Sequence, residues 1–123
     1  QIELLIIGPD EENIKQQISK NPLLLYMKGS PLFPQCGFSA QVAHILENLN
    51  VDFSYVNILI NPDIRSELPH YAKWPTFPQL WLNGELLGGC DIITEMFQTG
   101  ELAKLLEEQN IAKNGESLEC LNY

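Results

Sequence analysis

Residues 23–39 read Leu-Leu-Leu-Tyr-Met-Lys-Gly-Ser-Pro-Leu-Phe-Pro-Gln-Cys-Gly-Phe-Ser, and three kinds of segment follow one another along them. The run 23–28 is continuously apolar up to its lysine and is bounded by Pro22 and Gly29, the pattern of a strand buried on both faces. Two prolines and a glycine make 29–35 a loop. Beyond it Phe38, Val42, Ile45, Leu46 and Leu49 recur at helical spacing. A strand therefore leads through a stiffened loop into a helix, and Cys36 stands where the loop meets the helix start.

Outward from this unit the same alternation continues. Residues 51–58 place Phe53, Tyr55 and Asn57 on one side of a second strand, and the right-handed crossover rule makes it a parallel neighbour of the first. Asn61-Pro62-Asp63 starts a helix whose apolar stripe is Ile64, Leu68 and Tyr71. Residues 79–82 and 85–88 flank Asn83-Gly84, a strong tight-hairpin signal. Asp91 is expected to cap a helix bearing Ile92, Ile93, Met96 and Phe97 and ending at Gly100, with Leu102, Leu105 and Leu106 continuing into a last helix. Before the unit, residues 10–19 carry Ile14 and Ile18 four apart and read as a short helix closed by Asn21-Pro22. The expected fold class is α/β, a four-stranded mixed sheet flanked by helices. Residues 1–12 form an extension, 13–110 the domain, and 111–123 a flexible tail.

Composition narrows the function. The chain has 123 residues, enough for one domain, with 45% hydrophobic and 19% charged residues. Its 16 acidic against 7 basic residues give a net charge of -9, which opposes both nucleic acid and an anionic membrane surface. The longest apolar runs fall far short of the roughly 20 residues of a membrane helix. No basic, apolar leader is visible, and the three cysteines at 36, 90 and 120 form no CxxC pair or metal-ligand spacing, so a reducing compartment, the cytoplasm, is expected.

Three groups carry chemistry. Cys36 at a helix N-terminus faces unpaired N–H groups and the positive end of the helix dipole, which favour the thiolate, the form that attacks or ligates. Ser39 stands where a dithiol oxidoreductase has its second cysteine, and a hydroxyl cannot displace a mixed disulfide. In Trp74-Pro75-Thr76-Phe77-Pro78 a cis Phe77-Pro78 bond would turn the Thr76-Phe77 backbone outward to pair with an extended peptide, although general X-Pro frequencies by themselves favour a trans proline in a plain loop. Gly88-Gly89-Cys90-Asp91 combines a helix start that suits a carboxylate with an acid that suits an amino group; a simple strand-to-helix turn is the commoner local explanation. Lys28, Arg65 and, more weakly, Lys73 form a positive patch near the cysteine, suited to a small anion.

Together these groups resemble the monothiol glutaredoxins, closely so from Ile14 to Glu108. The likeness rests on Lys28, the Cys-Gly-Phe-Ser signature at Cys36–Ser39, Asn61-Pro62-Asp63-Ile64-Arg65, the run Trp74 to Gln79 and Gly88-Gly89-Cys90-Asp91. It implies a thioredoxin-like fold, Pro78 in cis, and a glutathione site made by Lys28, Cys36, Phe38, Arg65, Thr76, Phe77, Pro78, Cys90 and Asp91. In that site Lys28 and Arg65 grip the glycine carboxylate, Thr76 and Phe77 the cysteinyl backbone, and Cys90 with Asp91 the γ-glutamyl end. Cys36 is implied both as the redox-active thiol and as the iron ligand. A two-iron two-sulfur cluster wants four thiolates, which two chains and two glutathiones supply. The implied partners are glutathione, a second copy of the chain, BolA-type proteins and iron–sulfur recipients. The implied function is cluster carriage, assembly and iron homeostasis, with glutathione-dependent thiol-disulfide exchange as the enzymatic alternative. Leu32 and Phe33 depart from the family's usual polar or acidic loop residues, and Cys120 has no family role.

Overall fold

Five bulky apolar residues in succession leave a strand no polar face to turn to water, and the computed structural model places them mid-sheet as β2 (Leu23–Met27), buried throughout. Described are residues 2–3 and 10–111. β2 pairs in parallel with β3 (Ser54–Asn57), Leu24 opposite Ser54, and antiparallel with β4 (Gln79–Leu82), Leu25 opposite Leu80. β4 turns through Asn83 and Gly84, at φ 48° and 87°, into β5 (Glu85–Gly88), the left-handed pair that matches strand twist in a tight hairpin.

These four strands are the expected mixed sheet. A two-residue strand, β1 (Ile2–Glu3), lies parallel along the outer edge of β3 and extends the order to β1-β3-β2-β4-β5. Two residues carry no period, so sequence pattern has nothing to say of β1. The tail expectation for 112–123, Cys120 included, lies outside the described residues.

Alternation along β2 divides the core. Leu23, Leu25 and Met27 face a cluster with Val42 and Leu46 of α2 (Gly37–Asn48), Ile93 of α4 (Cys90–Thr99) and Leu102 and Leu106 of α5 (Glu101–Glu108). Leu24 and Tyr26 face Ile14 and Ile18 of α1 (Asp10–Lys20) and Ile64 and Leu68 of α3 (Pro62–Ala72). Each such side chain contributes about 1.5–3 kcal/mol by leaving water. The Tyr26 hydroxyl donates to Gln17 Oε1 at 2.8 Å, and burial pushes its pKa far up, so it stays a neutral donor.

Three expectations are corrected. The second strand is shorter than 51–58: only Ser54–Asn57 joins the ladder, and Val51 and Phe53 are buried outside it. Asp91 does not cap α4; Gly89 is the cap, Cys90 opens the helix, and Asp91 sits in the first turn with no side-chain cap bond. Phe38 and Ile92, periodic with their helices, are not core residues but are 62% and 37% exposed, because at the starts of α2 and α4 they line an open cleft.

β2 and β3 run parallel, and two antiparallel pairings make β5 parallel to β2. The loops leaving these three strands, and the starts of α2, α3 and α4, therefore share one end of the sheet.

Candidate functional site

The loop leaving β2 folds back on itself. Gly29 bridges Pro34, Gln35 N–H donates to the Lys28 carbonyl at 2.9 Å, and Ser30 and Phe33 exchange backbone bonds at 3.1 and 3.3 Å. Gly29 sits at φ 94°, where a Cβ would lie 2.6 Å from the Phe33 oxygen, so no other residue closes this loop unstrained. The chain returns to the end of β2 just as α2 begins, with Cys36 as its extended N-cap.

Cys36 is thus partly exposed and aimed at the free N–H groups of the first turn. Its thiol pKa is lowered, chiefly by the Ser39 backbone N–H; partial burial opposes this, and the Phe38 N–H, the Lys28 charge and the Ser39 hydroxyl add to it. Ser39 is more than a missing second thiol. It is wholly buried, and its Oγ accepts the Lys28 N–H at 3.0 Å, tying the start of α2 to the end of β2.

Thr76, Phe77 and Pro78 build the second wall, with the Phe77-Pro78 bond cis. The buried amide of Gln79 holds this wall from beneath. Its Nε2 donates to the carbonyls of Trp74 at 3.0 Å and Thr76 at 3.3 Å, while its Oε1 accepts Trp81 Nε1–H at 3.2 Å. The third wall is the turn into α4. Gly89 packs so closely that a Cβ there would stand 3.2 Å from the Pro78 oxygen and 3.4 Å from Trp74 Nε1. Cys90 opens α4 as a free thiol, 3.9 Å from the Thr94 hydroxyl that also accepts from Gln41 at 2.7 Å.

The walls enclose a cleft of about 720 Å³. Lys28, Cys36, Phe38, Arg65, Thr76, Phe77, Pro78, Cys90 and Asp91, far apart in sequence, all line it, together with Pro69, Trp74, Pro75, Gly89 and Ile92. Lys73, the weakest of the three expected cations, does not; it caps α3 in the left-handed region and is exposed. Chemically the cleft offers a stabilised thiolate, two cations, a carboxylate and a helix start, which is what a small zwitterionic peptide with more than one carboxylate would need. Among the described residues no group of three or more His, Cys, Asp or Glu gathers to hold a metal ion.

The glutaredoxin family model matches residues 23–87. Glutaredoxin 4 of Haemophilus ducreyi is 67% identical over 97 residues, covering 79% of this chain and 91% of that protein. This chain belongs to the glutaredoxin family. Its fold is accordingly thioredoxin-like: a monomeric truncated mutant of Trypanosoma brucei 1-C-Grx1, solved in solution, superposes with a TM-score of 0.78 at 31% identity, covering 86% of this chain and 96% of that one. A buckwheat glutaredoxin, solved as its complex with glutathione, superposes at 0.71 with 22% identity over 82% of this chain and 90% of its own.

Two of this glutaredoxin's site-forming residues escape a reading by chemistry alone. Gln79 is one; a single amide at the head of the apolar strand Leu80-Trp81-Leu82 is its signal in the sequence. Asn57 is the other. Its Oδ1 accepts both the Gly29 and Leu59 N–H groups at 3.0 Å, locking two loops side by side. An asparagine at a strand end gives no hint of that span.

Proposed function

We propose that this glutaredoxin is of the monothiol type, binds glutathione in the cleft, and, as two chains with two glutathiones, carries a bridging two-iron two-sulfur cluster for delivery to other proteins. The observation that carries the reading is the setting of Cys36: an accessible thiol whose ionised form is favoured by the α2 backbone, with a buried hydroxyl where a resolving thiol would stand. Ser39 cannot displace a disulfide, so the thiolate must be used by an outside partner.

The donor set fits a shared cluster and not a resident one. Such a cluster takes four thiolates, whereas the cleft holds Cys36 at the head of α2 and only one other sulfur, Cys90, half-buried on the far wall. One Cys36 from each of two chains and one thiol from each of two glutathiones complete four. Glutathione fits on its own chemistry, with Lys28 and Arg65 for the glycine carboxylate, the Thr76–Phe77 backbone for the cysteinyl unit, and the start of α4 with Asp91 for the γ-glutamyl end. The buckwheat relative's complex with glutathione supports this ligand. BolA-type proteins and cluster recipients belong to the same proposal as partners of this end of the molecule, in a reducing, cytoplasmic setting.

The accessible, ionisable Cys36 also favours a second reading, thiol-disulfide exchange. Cys36 thiolate attacks the glutathione sulfur of a mixed disulfide and the target protein leaves as its thiolate. A second glutathione thiolate then attacks the Cys36 mixed disulfide, freeing Cys36 and forming glutathione disulfide. One experiment separates the two: anaerobic reconstitution with ferrous iron, sulfide and glutathione, following visible absorption, dimer content and deglutathionylation rate in wild type and Cys36→Ser. The expected result is colour and dimer lost together in Cys36→Ser, with slow exchange in the wild type. A colourless wild-type monomer that turns over rapidly would overturn the carrier reading in favour of the enzyme.

A further inference from the structure

Lys28 and Arg65 line the same cleft from different elements, one directly after β2 and the other near the start of α3. A carboxylate gripped by both is sensitive to the gap between them, and that gap depends on how the loop after β2 lies against the loop after β3. The tips of these loops are not anchored by burial, since Leu32, Phe33, Leu59 and Ile60 are all exposed. The loops meet through hydrogen bonds instead.

Those bonds converge on Asn57. Met27 opposite Asn57 is the last pair of the β2–β3 ladder, and the Ile58 N–H still reaches the Met27 carbonyl at 2.9 Å. Beyond that point the Asn57 side chain takes over from the backbone. Its Oδ1 accepts the Gly29 N–H at 3.0 Å, which fixes the neighbour of Lys28. The same oxygen accepts the Leu59 N–H at 3.0 Å, the local bond with which an asparagine bends its own chain two residues on. Toward α3 the Asn57 carbonyl accepts Asn61 Nδ2–H at 2.8 Å, and the Asn61 carbonyl accepts the Arg65 N–H at 3.1 Å. The Lys28 N–H is bonded in turn to the buried Ser39 Oγ. Asn57 therefore ties the backbone that carries one cation to the backbone that carries the other.

We propose that Asn57 is a positioning residue for ligand selection: by fixing the spacing of Lys28 and Arg65 it makes the cleft prefer glutathione with a free glycine carboxylate over the same tripeptide esterified at that end. This rests on glutathione being the ligand of the cleft. Asn57 is not among the residues lining the cleft, and it acts through the two loops. Without its oxygen the two cations keep their charges but lose their fixed separation, so the cost of ordering them is moved to the binding step. That cost falls on the ligand that needs both cations. An ester offers neither of them a charge and has little to lose.

The test is a nitrogen-15 NMR titration of the reduced, metal-free full chain with glutathione and with its glycine ethyl ester, for wild type, Asn57→Ala, Asn57→Ser and Gln79→Leu, with circular dichroism to verify folding. Wild type is expected to bind the ester about ten-fold more weakly than glutathione, the effect of one lost charge-assisted contact. Asn57→Ala is expected to bind glutathione about five-fold more weakly while the ester stays within about two-fold of its wild-type affinity, so that the preference nearly vanishes. Asn57→Ser, whose shorter side chain cannot span both N–H groups, is expected to behave alike and decides the matter if the alanine variant does not fold. Gln79→Leu loosens the opposite wall and is expected to weaken both ligands alike, leaving the preference in place. Equal weakening of both ligands in the folded Asn57 variants, or an undiminished preference, would overturn the proposal and leave glutathione binding intact. Loss of the preference in Gln79→Leu would overturn it too, by showing that any loosening of the cleft has this effect. A wild type that binds both ligands equally would remove the carboxylate grip on which Asn57 is said to act, and one that binds neither would overturn the glutathione reading itself and this proposal with it.

Discussion

The first turn of α2 offers Cys36 the backbone N–H groups of Ser39 and Phe38, and Lys28, whose backbone N–H is bonded to Ser39 Oγ, adds a nearby positive charge. The Ser39 N–H is the largest of these influences and the lysine a lesser one. The reactivity of the thiol is therefore mainly a backbone property. Folding lowers this pKa, so the stability it contributes is complete above the unfolded value of about 8.5 and is lost as pH falls through the lower folded value. The expected outcome is an iodoacetamide alkylation profile, mapped at Cys36 by peptide mass spectrometry, whose midpoint lies below that of a free thiol and stays below it in Lys28→Gln. A Lys28→Gln midpoint equal to that of free cysteine would show instead that the lysine dominates. Residue chemistry of this kind was legible in the sequence, since a cysteine between a proline loop and a helical period announces a helix N-terminus. The burial of Ser39 and its bond to Lys28 were not, because sequence separates the two residues and only the end of β2 meeting the start of α2 joins them.

Elements rank differently in how plainly they can be read. β2, the Asn83-Gly84 hairpin and α3 after Pro62 are written locally, in an apolar run, a turn pair and a helix-start proline. The start of α4 is not, since Asp91 has the right chemistry for a cap but Gly89 takes the place, packed against Pro78 and Trp74 so closely that a side chain there would have to push its neighbours aside. The loop 74–78 depends on its neighbour in the same way. Gln79 satisfies two of its carbonyls and Trp81 Nε1–H from inside the sheet, so Gln79→Leu leaves one buried donor and two part-buried carbonyls without their partner. At about 1–3 kcal/mol for each group left unsatisfied, partly relieved by water entering at the cleft, the variant is expected to lose roughly 2–4 kcal/mol of stability. A urea titration checks this, and calorimetry with glutathione is expected to show weakened binding in the same variant. A Gln79→Leu chain of wild-type stability would mean that the amide is dispensable to the wall.

Over the whole molecule the net charge of -9 works against compactness as well as against association with like chains. Raising sodium chloride from about 10 to 200 mM shortens the screening length from roughly 30 Å to under 10 Å. The unfolding midpoint of dilute, metal-free protein is expected to rise by a few degrees, on the order of the roughly 4 °C that about 1 kcal/mol produces in a domain of this size. A falling midpoint in differential scanning calorimetry would show that attractive charge pairs outweigh the repulsion. The sequence by itself determined the alternation of strands and helices, the direction of the hairpin and the identity of the thiol, because these rest on spacing and turn chemistry within a dozen residues. Only the tertiary structure decided that Lys28, Arg65, Thr76 and Asp91 share a cleft with Cys36, that Asn57 and Gln79 brace it, and that the exposed apolar side chains crowd around it. The physical reason is that parallel pairing of β2 with β3, and the return of β5 alongside β4, bring three distant loops to one end of the sheet, a placement set by strand pairing and core packing rather than by local sequence.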